Sequence, residues 1–206
     1  MYQKYILKKV NKKKFCSSLL LGSFYFLIRF FIKKFQILNK IRKELMNMIN
    51  KIEKITEKTR ELVNNFFVQN WYSTDMSVRG KIIDGTKLDG FLLQDDNEII
   101  GLGTYKFYGA VCEIVTLDSK RENIGIGTAI LKLIEQVAIE NNCTKMRLIT
   151  TNDNLRALQF YQKRGYSLTK IYPNEMDEVR KVKPNVPIIG ENGIPLRDEL
   201  ELEKDI

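Results

Sequence analysis

The stretch "SKRENIGIGTAILKLIEQ", Ser119 to Gln136, decides how the chain is read. Gly125 and Gly127 stand just before a run of helix formers in which Ile130, Leu131, Ile134, Val137 and Ala138 share one face. Glycine at a helix start lets a ligand press against bare backbone, where the first amides of the helix have no partner. A dinucleotide turn needs G-x-G-x-x-G, but the third position here is Ile130 and the next strand closes in "LITT" without an acidic residue. A nucleoside-triphosphate loop needs a lysine and a hydroxyl after the second glycine of G-x-x-x-x-G, and neither is present. Two readings remain. In one, the amides of Asn123, Ile124, Gly125, Ile126, Gly127 and Thr128 cradle a diphosphate of the coenzyme A kind, helped by the helix dipole. In the other, the glycines serve only helix–strand packing.

On either side of this stretch the pattern is that of an α/β domain. "MINKIEKIT" reads as a first strand. Thr56 can cap a helix whose stripe runs through Thr59, Leu62, Val63, Phe66, Phe67 and Trp71. "WYSTDMSVRGKIIDGTKLDG" reads as a polar, glycine-punctuated loop with room for a short helix. "FLLQ", the turn "DDNE" and "IIGLGTYKFYG" form a hairpin by their turn chemistry, and "AVCEIVTLD" is a further strand. After the central helix come the strand "CTKMRLITT", a helix "NLRALQFYQKR" capped by Asn152 or Asp153 and stopped at Gly165, and the strand "YSLTKIY". All four prolines lie beyond Tyr172, followed by the strand-like "IPLRDELELEK".

The pair "LDSKRENIGIGTAIL" and "NLRALQFYQKRGY" resembles the GCN5-related N-acetyltransferase (GNAT) superfamily, over roughly Ile49 to Ile171. The second stretch matches the family's N-x-x-A-x-x-F-Y-x-x-x-G-F pattern with Tyr166 for the last aromatic. The resemblance implies a GNAT fold: a mixed, mostly antiparallel sheet of about six to seven strands with a V-shaped splay and flanking helices. It implies acetyl-CoA as cosubstrate, no metal, and direct attack of an acceptor amine in a ternary complex. A non-catalytic acyl-CoA-binding regulatory domain is the other function that this resemblance allows.

By the same resemblance, Tyr161 is the acid that protonates the departing thiolate, with packing beside Phe160 as its plainer role. Asn154 contacts the coenzyme or caps its helix. A main-chain N–H around Val115 or Leu117 is the oxyanion donor, and the free amides of this strand bind the pantetheine arm where it splays, often at a bulge. Glu113 stands where some family members carry a base, and burial is expected to raise its pKa; alternatively it faces solvent. Asp118 reads as a turn residue. Glu122 occupies a slot that the family usually fills with Arg or Gln, and Lys120 or Arg121 is expected to compensate. Trp71, Arg79 and Glu199 are candidates for the acceptor pocket, with a core position for Trp71 and a solvated strand face for the acidic run as the alternatives.

Composition narrows the chemistry further. The 206 residues hold no histidine, which excludes Ser-His and Cys-His machinery and most zinc sites. Cys16, Cys112 and Cys143 are few and scattered, and read as reduced thiols of a cytoplasmic protein. Residues 1–45 carry 12 Lys/Arg against one acidic residue, whereas residues 46–206 carry 22 against 24. The basic charge therefore belongs to an N-terminal extension and not to a nucleic-acid-binding face of the transferase domain, 46–206. Within the extension, residues 15–32 form an apolar run interrupted by Arg29, short of the roughly 20 residues that a spanning helix needs. It reads as a weak membrane anchor or interfacial helix, as a soluble appendage, or as translation from upstream of Met46 or Met48. Membrane association would leave the catalytic domain on the cytoplasmic side.

Overall fold

The computed structural model describes residues 30–37, 39–40, 42–43, 46–121 and 123–206, and the chain divides into two units between Met48 and Ile49. In the first unit residues 30–37 are helical and expose Phe30, Phe31, Ile32 and Phe35. Among the described residues no helix is long and apolar enough to cross a membrane. Residues 15–29 of the expected apolar segment, and Glu122, lie outside the described residues.

The second unit starts with a two-residue strand β1 (Glu53–Lys54), shorter than "MINKIEKIT" suggests, because residues 46–49 are helical and Thr56 already begins helix α1 (Glu57–Trp71). The Thr56 N–H donates to the Thr59 hydroxyl at 2.9 Å, closing that helix start. Val63, Phe66 and Phe67 of α1 pack on Leu92 and Leu102 of the sheet. The expected polar loop after Trp71 is instead a hairpin of β2 (Asp75–Val78) and β3 (Lys81–Asp84). Its turn has Arg79 at φ +50° and Gly80 at φ +65°, the left-handed pair that a tight hairpin requires.

β4 (Asp89–Asp95) and β5 (Glu98–Tyr108) form the anticipated hairpin, followed by β6 (Val111–Ser119), helix α2 (Ile126–Glu140), β7 (Lys145–Thr151), helix α3 (Leu155–Gln162) and β8 (Ser167–Tyr172). Helix α4 (Glu175–Val182) and an irregular arm lead to β9 (Glu199–Asp205). Seven strands form one sheet in the order β1-β4-β5-β6-β7-β9-β8. Only β6 and β7 run parallel, so the sheet is mixed and mostly antiparallel, as expected. The last strand, β9, slots between β7 and β8.

Helix α2 lies directly on the sheet. A Cβ at Gly101 or Gly103 of β5 would sit 2.4 Å from the side chains of Ile126 or Ile130, so these two glycines set the helix–sheet distance. Strand periodicity then splits β6, β7 and β9 into two faces. Cys112, Ile114, Met146, Leu148, Leu200 and Leu202 are buried on the face toward α2, where Lys204 reaches Glu135 of that helix at 2.9 Å. Glu113, Arg147, Glu199 and Glu201 occupy the other face, toward the β2–β3 hairpin. Cys112 and Cys143 are free and buried, and burial pushes the Cys112 thiol up to about 12.

Candidate active site

The centre of the sheet is a fork. β6 pairs with β7 only from Val111 to Ile114; beyond that point β7 continues along β9, while β6 keeps β5 alone. At the same place the β5–β6 register slips: Tyr105 faces Ile114 and Thr104 faces Thr116, leaving Val115 as the extra residue of a bulge. The edge of β6 from Val115 through Leu117 therefore has no strand partner on the β7 side. Unpaired main-chain groups of this kind need a ligand or water.

β6 leads from that edge into the glycine turn. Asn123 (φ +58°) and Gly125 (φ +92°) are both left-handed, and α2 begins at Ile126 without a side-chain cap. The amides of its first turn are thus available to an anion. Helix α3 makes the contrast: the Asn154 side chain accepts from the Ala157 N–H at 2.9 Å, so Asn154 and not Asn152 or Asp153 is the cap. Packing does not explain Gly127, since a Cβ there would meet the Phe160 ring at an ordinary 3.6 Å. Lys120 and Arg121, expected to serve the turn, are paired with Glu98 and Asp95 of the β4–β5 hairpin. Arg164 was not legible as a partner of this turn. It donates to the Thr128 hydroxyl at 2.5 Å while its guanidinium lies 3.5 Å over the Phe160 ring.

Tyr161 is buried on α3, its ring edge-on to those of Phe160 and Tyr166. Burial pushes its phenol pKa upward, with the Asp118 charge adding to this and Arg164 opposing it. The hydroxyl is therefore a proton donor throughout the neutral range. Asp118 is not a turn residue: it is in β6 and faces Leu102, with Oδ2 buried and accepting no hydrogen bond. Burial pushes its carboxyl up to about 6 against the opposing contact with Trp71. Trp71 itself is 41% exposed, outside the core, and lines a cavity of 390 Å³ with Met76, Ile82, Val186 and Pro187.

The charged face lies across the sheet from the α2 side. Glu113 is only 1% exposed, so it does not face solvent, and its Oε2 takes bonds from Arg79 at 2.5 Å and Arg147 at 2.6 Å. Its Oε1 is buried with no partner. The acidic run is not a solvated strand face: Glu199 and Glu201 are both buried. Glu199 accepts the Arg79 main-chain N–H at 2.9 Å, and Glu201 accepts the Tyr172 hydroxyl at 2.8 Å. Burial pushes Glu199 up to about 7; the Arg79 N–H opposes this, and the Glu175 and Glu113 charges add to it. A carboxyl of that pKa exchanges protons near neutrality. The structure thus brings Arg79, Glu113 and Glu199 together on one face, while Val115, Leu117, residues 123–128, Asn154 and Tyr161 lie along the fork and on the two helices that follow it.

The comparisons agree with this architecture. The acetyltransferase (GNAT) family matches residues 56–166. Two uncharacterised Bacillus subtilis proteins are related along the chain: YxbD is 47% identical over 71% of this chain and 93% of its own length, and YdhI is 42% identical over 73% and 94%. An IAA acetyltransferase from Bacillus cereus superposes with a TM-score of 0.55 at 20% identity, covering 75% of this chain and 98% of its own. A Bacillus subtilis acetyltransferase solved in complex with CoA gives 0.55 at 20% identity, covering 76% and 98%. A family member from Elizabethkingia anophelis with acetyl-CoA bound gives 0.52 at 24%, covering 75% and 97%.

Proposed function

The chain belongs to the acetyltransferase (GNAT) family, and from that premise we propose that it moves an acetyl group from acetyl-CoA to an amine of its acceptor, by direct attack in a ternary complex. The observation that carries this reading is the fork. An unpartnered β6 edge leads straight into a left-handed turn whose helix amides are uncapped, which suits a long ligand with amides at one end and a diphosphate at the other. Asn123, Ile124, Gly125, Ile126, Gly127 and Thr128 hold the diphosphate, Val115 and Leu117 the pantetheine arm, and Asn154 the flank.

The thioester supplies an activated acetyl group; the chain's residues position it and move protons. Tyr161 gives its phenolic proton to the leaving sulfur. The attacking amine must lose one, and the carboxylates of Glu113 and Glu199 face the side from which it approaches. Glu199, at about 7, has the matched basicity. Glu113 Oε2 already accepts from two guanidinium groups, and Oε1 is its one oxygen without a partner. That crowding is also the observation that favours the second reading, an acyl-CoA-binding domain without turnover.

Release of the CoA thiol in the presence of a panel of amines distinguishes the two readings. Tyr161→Phe is expected to lower kcat by about 100-fold or more with KM for acetyl-CoA unchanged. A fully active Tyr161→Phe enzyme removes the general-acid role.

A further inference from the structure

An arginine at a hairpin tip ordinarily points to water. Arg79 does not: its side chain is 21% exposed, bonded to Glu113 Oε2 at 2.5 Å and to Glu201 Oε2 at 3.2 Å. Its main-chain N–H goes to Glu199 at 2.9 Å. Three carboxylates from two strands thus converge on the tip of a third element. A Cβ on the adjacent Gly80 would stand 3.1 Å from a fourth, Glu175. Arg79 and Arg147 donate to Glu113 Oε2, and Lys145 adds its charge near Glu201. The cluster leaves one buried carboxylate oxygen, Glu113 Oε1, without a hydrogen-bond donor.

Stability does not account for it, because a buried ion pair contributes little net once desolvation is counted. Position does. Glu113 is one residue before Ile114, whose pairing with Leu148 is the last rung before the fork opens. The hairpin is also separable from the sheet. β2 and β3 pair only with each other; Met76, Val78 and Ile83 pack on the core, and beyond Val78 the two-residue tip is held through Arg79.

We propose that Glu113, Glu199 and Glu201 form a cation subsite for the acceptor, that Arg79 fills it when no acceptor is present, and that the acceptor is a small amine carrying a second cationic group, guanidinium or ammonium. The incoming cation replaces the Arg79 guanidinium on Glu113 and Glu201, and the hairpin tip swings away with its arginine. Only the fate of the bound amine rests on the acetyl-transfer reading above; the subsite itself does not.

Calorimetric titration of the full chain with agmatine, which carries both an amine and a guanidinium, tests the subsite against butylamine, which has the same chain and one charge. Agmatine is expected to bind at least about tenfold more tightly, the ratio that one added charge-assisted hydrogen bond gives. Arg79→Ala is expected to tighten agmatine further by vacating the subsite, and Glu201→Gln to erase the preference in either background. If Arg79→Ala does not fold, by circular dichroism, the wild-type and Glu201→Gln titrations decide alone. Agmatine that binds but is not acetylated, where no amine of the panel releases the CoA thiol either, supports the subsite and removes the transfer reading. Equal binding of the two amines overturns the subsite, even where butylamine is acetylated.

Discussion

The two faces of β6, β7 and β9 follow opposite rules although they share the same strands. Toward α2 the buried side chains are apolar, from Cys112 and Ile114 through Met146 and Leu148 to Leu200 and Leu202. Toward the β2–β3 hairpin the alternate positions are Glu113, Arg147, Glu199 and Glu201, and they too are shielded from water. The first face gains free energy from leaving water; the second loses it and recovers part through ion pairs. Function is to be sought on the second face. A chain retains buried carboxylates on one side of a sheet when something other than stability is served there.

The largest effect is expected on the apolar side. Leu202 is fully buried, and Leu202→Ala is expected to cost about 2–5 kcal/mol in urea unfolding while leaving coenzyme binding by the folded fraction intact. An isolated loss of coenzyme binding would show that the faces are not separable. The charged side is expected to respond in the opposite sense. Glu199 is raised from an ordinary 4.5 to about 7, so the native state favours its protonated form. Its stabilising contribution is complete below the ordinary value and disappears as pH rises through about 7. Glu199→Gln, which stays neutral, is expected to be more stable than the wild type at pH 8 by about 3 kcal/mol and equal to it at pH 4. Parallel pH–stability curves for the two proteins would refute this account of the charged face. The smallest effect is expected at the glycine turn. Gly125 is left-handed, so Gly125→Ala should lose about 1 kcal/mol and raise KM for acetyl-CoA severalfold, with agmatine binding on the far face unchanged.

Legibility in the sequence followed the range of the interaction. Helix α2 and its turn were readable because a 3.6-residue stripe, two glycines and the family pattern all lie within one short stretch. The β4–β5 hairpin was readable from Asp96 and Asn97, which adopt the left-handed turn their side chains favour. The β2–β3 hairpin was not, because its turn is Arg79–Gly80, and an arginine at the first left-handed position carries no such signal. "ELELE" announced a strand, yet alternation alone fits a strand with one wet face. What dries that face is the distant hairpin tip over Glu199 and Glu201, a contact with no local trace. The same limit hid Arg164 against Thr128 and Arg147 against Glu113.

The placement of β9 also governs how the molecule is made. Lys145 of β7 faces Asp205 and Ser167 of β8 faces Glu203, so two strands wait for a partner that is translated after both. Until β9 has left the ribosome, β7 lacks one neighbour, β8 lacks its only one, and half of the sheet exposes edges open to pairing with other chains. Neither carboxylate that receives Arg79 from β9 exists before that moment, so the charged face is the last part of the domain to be assembled.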